Sequence, residues 1–287
     1  MRRFDYFEPR TLQEAATLLK HGQGRASILA GGTDLLVEIK EHVRRPEYVV
    51  NIKRIPDLNG LRFDETGGLK IGALVTARAV ETCPVITQSY AGLAQAVREL
   101  GSIQVRNRAT IVGNLCRASP SADTAPPLIA DGAWITIFGL NGERGLPLEE
   151  FFTGPGKTVL GPDEIALALA LPSPLPHTGK IYIKHGRRKA MELATVGVAV
   201  SLTLADGVCQ EIRIVLGAVA PTPIRANQAE AVLRNKPLEQ GLVEMAAQAA
   251  VNESRPISNV RGSAQYRREM VGVLTKRAIA RAAELAQ

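Results

Sequence analysis

Two short segments hold the residues whose types and spacing could do chemistry. The first, Ile28-Leu29-Ala30-Gly31-Gly32-Thr33-Asp34-Leu35, is an apolar run that meets two glycines and then a Thr/Asp helix start. Several backbone N–H groups converge at such a turn, which favours an anion. Gly31 and Gly32 carry no Cβ and can take positive φ, so a pyrophosphate could lie close to the main chain, with the Thr33 hydroxyl as a further donor. On its own the same pattern also describes an ordinary structural turn. The second segment, Gln104 to Thr124, crowds small residues, hydroxyls and amides into a length with little periodicity. That composition predicts a loop laid along a polar ligand rather than a packed element.

Taken together, Ala30-Gly31-Gly32-Thr33-Asp34-Leu35 and Thr110-Ile111-Val112-Gly113-Asn114, continuing to Ala118-Ser119-Pro120 and Asp123, resemble the flavin-binding subunit of the molybdenum hydroxylases. This is the family of xanthine dehydrogenase and aerobic carbon monoxide dehydrogenase. Gly217-Ala218-Val219-Ala220-Pro221-Thr222-Pro223-Ile224-Arg225-Ala226 resembles the signature of that family's C-terminal domain, so the likeness covers nearly the whole chain. It implies an α+β protein with FAD as cofactor. Residues 1–176 would form an FAD-binding domain of the vanillyl-alcohol-oxidase-like (PCMH) type, made of two α/β subdomains at about 1–56 and 57–176. Residues 177–287 would form a C-terminal α+β domain of antiparallel sheet and helices.

The resemblance also implies a set of cofactor-binding residues. Gly31, Gly32 and Thr33 in the first segment and Thr110, Gly113 and Asn114 in the second are expected at the pyrophosphate, flanked by Ile28, Leu29, Ala30, Ala109 and Cys116. Oriented N–H, hydroxyl and amide dipoles can meet two phosphates there without free cations. Asp34 either touches the ligand or caps its helix. Asp123 matches a position that meets the sugar-alcohol chain of FAD, and its alternative role is an N-cap for a helix over 123–130. Val159 and Leu160 match the region that sets an aliphatic residue beside the isoalloxazine, or else are ordinary core. Leu100 stands near a position where relatives place an aromatic, which leaves the stacking partner open. The segment Lys184 to Thr195 matches one that passes close to the flavin. Lys184 is the candidate cation beside the ring, where positive charge would raise the reduction potential, and Arg187 or Arg188 could meet an anionic acceptor. A solvated basic loop is the other reading of that stretch.

If flavin does the redox step, no side chain need serve as acid, base or nucleophile. The chain accordingly offers no G-x-S-x-G, Cys–His pair or carboxylate dyad. The resemblance implies a large molybdopterin-binding subunit and a small [2Fe–2S] subunit as partners, NAD⁺ or another electron acceptor, and a dimer of heterotrimers. Thr33-Asp34 follows the diglycine as in many purine- and aldehyde-oxidising relatives, whereas carbon monoxide dehydrogenases tend to carry His-Ser there. This points to a xanthine dehydrogenase-like complex. A self-sufficient flavin oxidase on the same scaffold would need a substrate pocket of its own.

The elements that must position these segments follow from periodicity and turn residues. A helix over residues 8–22 starts with a Thr11/Glu14 capping box, buries Leu12, Ala15, Ala16 and Leu19, and stops at Gly22. A strand over Ala26–Ala30, a helix from the diglycine to about His42 and a strand over Val49–Ile52 then make a small, partly parallel sheet. Leu61–Ala73 reads as a hairpin around Gly67-Gly68, followed by helices near Thr76–Thr82 and Ser89–Gly101. Trp134–Phe138 and the alternating Ile165, Leu167, Leu169 and Leu171 are strands, and proline-rich Pro172–His177 is a linker. Strands at Lys180–Lys184, Val196–Leu204 and Glu211–Val219 precede the last helices. The final helix shows an apolar stripe of Tyr266, Met270, Leu274, Ala278, Ala282 and Leu285, with Arg267, Arg277 and Arg281 off it.

Two nucleotide motifs fail on context. Gly22-Gln23-Gly24 follows a helix and lacks the third glycine, and Gly156-Lys157-Thr158 has Phe151 where a P-loop needs glycine. The cysteines Cys83, Cys116 and Cys209 form no C-x-x-C, and His21, His42, His177 and His185 have no ligand spacing, so no metal site is expected. The net charge of +7 raises nucleic acid as a partner, yet aromatics are only 4% and no nucleic-acid motif is present, so no nucleic-acid partner is expected. No apolar run approaches the roughly 18 to 20 residues a membrane span needs, and no h-region follows Met1-Arg2-Arg3. A cytoplasmic location is the expectation.

Overall fold

A computed structural model describes residues 3–287. The chain opens with β1 (Asp5–Phe7), α1 (Leu12–His21), β2 (Ala26–Leu29), α2 (Leu35–Lys40) and β3 (Tyr48–Asn51). The three strands form a fully parallel sheet in the order β1-β3-β2. β1 is too short to show periodicity and goes unread in the sequence. Thr11 caps α1 by accepting from the Glu14 amide, while the Glu14 carboxylate takes the Arg10 amide, one residue outside an ideal capping box.

The second unit contains β4 (Leu61–Asp64), β5 (Gly68–Gly72), α3 (Ala77–Thr82), α4 (Pro84–Ser89), α5 (Ala91–Arg98), α6 (Ile103–Arg106), α7 (Ile111–Cys116), α8 (Ala125–Ala130), β6 (Trp134–Gly139) and β7 (Gly142–Pro147). It closes with the small β8 (Phe152–Gly154) and β9 (Lys157–Thr158) pair and with β10 (Ile165–Leu171). Its sheet is antiparallel in the order β4-β5-β10-β6-β7. Residues 104–124 correct the expectation of an unpacked loop. They build part of α6 and all of α7, and Ile111, Val112 and Leu115 are buried in the main core.

Residues 172–177 lie outside any strand, as their prolines require, but they are held down. Tyr90 donates its hydroxyl to the Pro172 carbonyl, and Ser173 donates to the carbonyls of Asp64 and Glu65. The remaining chain forms β11 (Thr178–His185), β12 (Val196–Ala205), β13 (Val208–Gly217) and β14 (Ile224–Arg225), an antiparallel sheet in that order. α9 (Asn227–Leu233), α10 (Gln240–Glu253) and α11 (Ala264–Leu285) complete it. One face of this sheet packs on α9–α11 around Val198, Val200, Ile212, Ile214, Leu274 and Ile279. The other turns toward α5 and α8 and adds Tyr182, Ala199 and Val215 to the main core.

The buried face of α11 is rotated from the expected stripe. Arg267, Val271, Leu274, Thr275, Ala278, Ile279 and Ala282 point inward, while Tyr266 and Leu285 are exposed. Arg267 goes inside because its guanidinium donates to the carbonyls of Thr195 and Ala218 and to Asn259 Oδ1. Arg267→Leu strands those two carbonyls, so the free energy of unfolding should fall by about 3 kcal/mol. A urea titration should show a lower midpoint with an unchanged slope.

Candidate functional site

The chain reverses from β2 into α2 through Gly31-Gly32-Thr33-Asp34, and Gly32 sits at φ +77°, where a side chain is strained. Among the described residues, the amides of Gly31, Gly32, Thr33 and Asp34 have no acceptor in the chain, and the Thr33 hydroxyl has no partner. The Asp34 side chain makes no capping bond; its carboxylate lies 3.9 Å from Arg117 Nε. Four successive free amides at one turn, as a helix start leaves them, are donors that an anion could meet together.

The second segment closes directly onto this turn. A Cβ on Gly31 would stand 2.2 Å from the Arg108 carbonyl oxygen and 3.0 Å from Ala109 Cα. Gly31 therefore serves backbone-to-backbone contact between the two segments. Thr110 caps α7 by accepting from the Gly113 amide at 3.1 Å, and a Cβ on Gly113 would collide with that hydroxyl. Asn114 Oδ1 accepts from the Thr124 hydroxyl at 2.7 Å, which fixes the amide and leaves Nδ2 without an acceptor among the described residues.

Between the segments lies a cavity of about 540 Å³. Of the expected residues, Ile28, Ala30, Gly31, Gly32, Thr33, Asp34, Ala109, Thr110, Gly113, Asn114, Cys116 and Leu160 line it, as does Leu100. Burial pushes the Cys116 thiol up to about 12, so it is no thiolate. Arg44, Arg117 and Glu38 also line the cavity, and both arginines pair with Glu38, at 3.1 and 2.9 Å. Sequence reasoning passed over all three, although Arg117 directly follows Cys116. The start of β10, Ile165 and Ala166, forms another wall that its strand periodicity did not reveal as ligand-facing.

Four expected residues lie outside the cavity lining. Leu29 is buried beside Leu35 and Ile39, and Val159 packs on the main core. Asp123 and Lys184, each given its own role beside the flavin, bond to each other. Lys184 Nζ lies 2.9 Å from Asp123 Oδ2 with both side chains buried, and it also donates to the Glu99 carbonyl. Tyr182 donates its hydroxyl to Asp123 Oδ1 at 2.9 Å. Asp123 therefore does not cap α8, whose N-cap is Thr124, and Lys184 is not an unpaired cation beside the cavity. Burial pushes the Asp123 carboxyl up to about 6 against the opposing pull of Lys184.

Comparison with known proteins then decides the family. Residues 2–174 match the model described as the FAD binding domain in molybdopterin dehydrogenase, and residues 181–282 match the CO dehydrogenase flavoprotein C-terminal domain. The chain belongs to the FAD-binding subunits of the molybdenum hydroxylases. This molybdenum hydroxylase subunit is 34% identical to the putative xanthine dehydrogenase FAD-binding subunit of Escherichia coli over 96% of its length and 95% of the relative's. It is also 34% identical to the carbon monoxide dehydrogenase medium chain of Hydrogenophaga pseudoflava, over 96% of both chains. A solved structure of the Hydrogenophaga pseudoflava carbon monoxide dehydrogenase superposes with a TM-score of 0.94 at 36% identity, covering 98% of this chain and 97% of that one. The chain is thus an FAD-carrying oxidoreductase subunit. The free amides at Gly31–Asp34 and the cavity before them fit a group that carries a pyrophosphate.

Gly31→Ala should force the two segments apart and weaken FAD binding at least about tenfold, or about 1.4 kcal/mol. The flavin-to-protein absorbance ratio after desalting reads this, with a thermal melt to separate cofactor loss from unfolding. A second expectation concerns pH. Since the folded Asp123 value of about 6 lies above the unfolded 3.8, the folded chain binds more protons in that window. Stability from this group therefore falls as pH rises from the lower to the upper value, by about 3 kcal/mol in all, and is flat above it. Urea titrations across that range should show this component of the slope in the wild type and not in Asp123→Asn.

Proposed function

We propose that the chain relays electrons through FAD inside a heteromeric molybdenum hydroxylase. The observation that carries this reading is the run of four acceptor-less amides, Gly31 to Asp34, facing Thr110 and Asn114 across one cavity. In this reading those amides, the Thr33 and Thr110 hydroxyls and Asn114 Nδ2 hold the pyrophosphate, and Arg117 and Arg44 offset its charge from the rim. Ile28, Ala30, Leu100, Ile165 and Leu160 supply apolar walls that keep water from the bound group. FAD, when bound, supplies the ability to take electrons one at a time and pass them on as a pair. The protein's own part is to bind, orient and shield, because no acid, base or nucleophile converges on the cavity beyond the paired Asp34, Glu38 and Glu164.

The partners in this proposal are a large molybdopterin chain, which oxidises substrate, and a small chain with two [2Fe–2S] clusters, which feeds electrons to this one. The acceptor is NAD⁺ or another oxidant, and the complex is a cytoplasmic dimer of heterotrimers. Relatives named for xanthine and for carbon monoxide dehydrogenase stand at equal identity. Thr33-Asp34 after the diglycine favours the xanthine type, and the TM-score of 0.94 to a carbon monoxide dehydrogenase structure supports the second reading.

Purification of the chain from its native host should bring down both partner chains, and the complex should reduce NAD⁺ when given xanthine. Turnover of carbon monoxide instead would select the second reading. A yellow chain recovered alone and active on an organic substrate would overturn the relay.

A further inference from the structure

A second cavity, of about 720 Å³, opens where the N-terminal unit meets the five-stranded sheet, and it shares no lining residue with the first. Three cations line it. Arg10 stands just ahead of α1, and Arg62 and Lys70 face each other directly across the β4–β5 pair. Like charges set directly opposite in an antiparallel ladder are destabilising. Within the described residues, none of the three cationic side chains makes a salt bridge or hydrogen bond; the one carboxylate in the lining is Asp57. All three are exposed, and against the single carboxylate of Asp57 they leave the concavity with an excess of positive charge.

An independent feature points the same way. Thr11 and Leu12 line the cavity at the start of the ten-residue α1, and their amides have no acceptor among the described residues. The neighbouring amides of Arg10 and Glu14 are already taken by Glu14 Oε2 and Thr11 Oγ1. Two free N–H groups at a helix N-terminus and three cations around one volume make a site for negative charge. Leu12, Ile55, Leu58 and Leu167 give it an apolar floor, and the volume falls in the range of small-molecule pockets.

We propose that this cavity binds a small organic anion of at least two negative charges, carried as phosphate or carboxylate on an apolar frame. Its walls connect it to the flavin cavity. β5 and β10 present Gly72, Leu167 and Ala168 on this side, and the adjoining Ala73, Ile165 and Ala166 on the other. The anion site stands independently of the relay reading, because none of its residues belongs to the flavin cavity.

The test uses the full chain saturated with FAD, titrated calorimetrically with inorganic pyrophosphate and, separately, with benzenetricarboxylate. One saturable site per chain is expected, weakening as salt rises. The double variant Arg62→Ser and Lys70→Ser should weaken it at least tenfold with flavin content unchanged, and Arg10→Ser gives a second reading if the double variant melts early. The probe that binds more tightly identifies phosphate or carboxylate as the natural charge. Absence of saturable binding by either probe, equal binding in the variants, or binding confined to FAD-free chain would overturn the proposal.

Discussion

The structure depends on a local shortage of acceptors. A folded chain pairs nearly all its buried amides internally or with water, and the half-buried to exposed Gly31, Gly32, Thr33 and Asp34 reach no acceptor among the described residues. The shortage follows from the turn between β2 and α2: the parallel ladder ends at Leu29, and the helix has not yet begun to supply carbonyls. Closure of Arg108 and Ala109 onto Gly31 walls the turn in from one side with backbone rather than side chains. The free donors line a cavity in which an anionic group would meet several of them at once. Most of the cavity's other features, from the Asn114 amide fixed by Thr124 to the arginines held by Glu38, arrange polar groups around that one deficit.

The C-terminal sheet is attached by a different device. Along β11 the alternate residues Lys180, Tyr182 and Lys184 turn away from the sheet's own helices and toward α8. Asp131 at one end of α8 takes Lys180, which also stands 4.4 Å from the Tyr90 ring centroid; Asp123 at the other end takes Tyr182 and Lys184. Buried pairs of this kind add little net stability against an apolar contact, but separating them leaves charge uncompensated in the interior. They fix where the sheet sits, since a slip of one residue along β11 would present Ile181 and Ile183 to the aspartates.

Much of this was legible in the sequence. The cap at Thr11, the β2–turn–α2 unit, the period-two strand at Ile165–Leu171 and the strand-then-helix order of the last third all rest on local patterns, and the local patterns held. The misreadings have physical causes. The short α7 hid among Gly113, Asn114 and Ala118 because small residues blur periodicity. The buried side of α11 includes Arg267, whose burial depends on carbonyls of Thr195 and Ala218 far away in the chain. The pairing of Asp123 with Lys184 went unread, since only the docking of β11 on α8 brings them within 2.9 Å of each other. Residue type foretold the chemistry at each of these places, while the partner came from the tertiary fold.

The first cavity takes its main walls from the β2–α2 turn of the parallel sheet, the α6–α7 segment and the approach to β10, with single residues added from α1 and from beyond β3 and β5. Such a cavity is also a joint. Whatever fills it ties the parallel sheet to the antiparallel one, so the ligand's binding free energy becomes holding energy between the two units, worth about 4 kcal/mol at a thousandfold excess over its dissociation constant. The cofactor would then serve as a keystone of the subunit's architecture as well as its electron carrier, and a newly made chain would gain its full rigidity at the moment of loading.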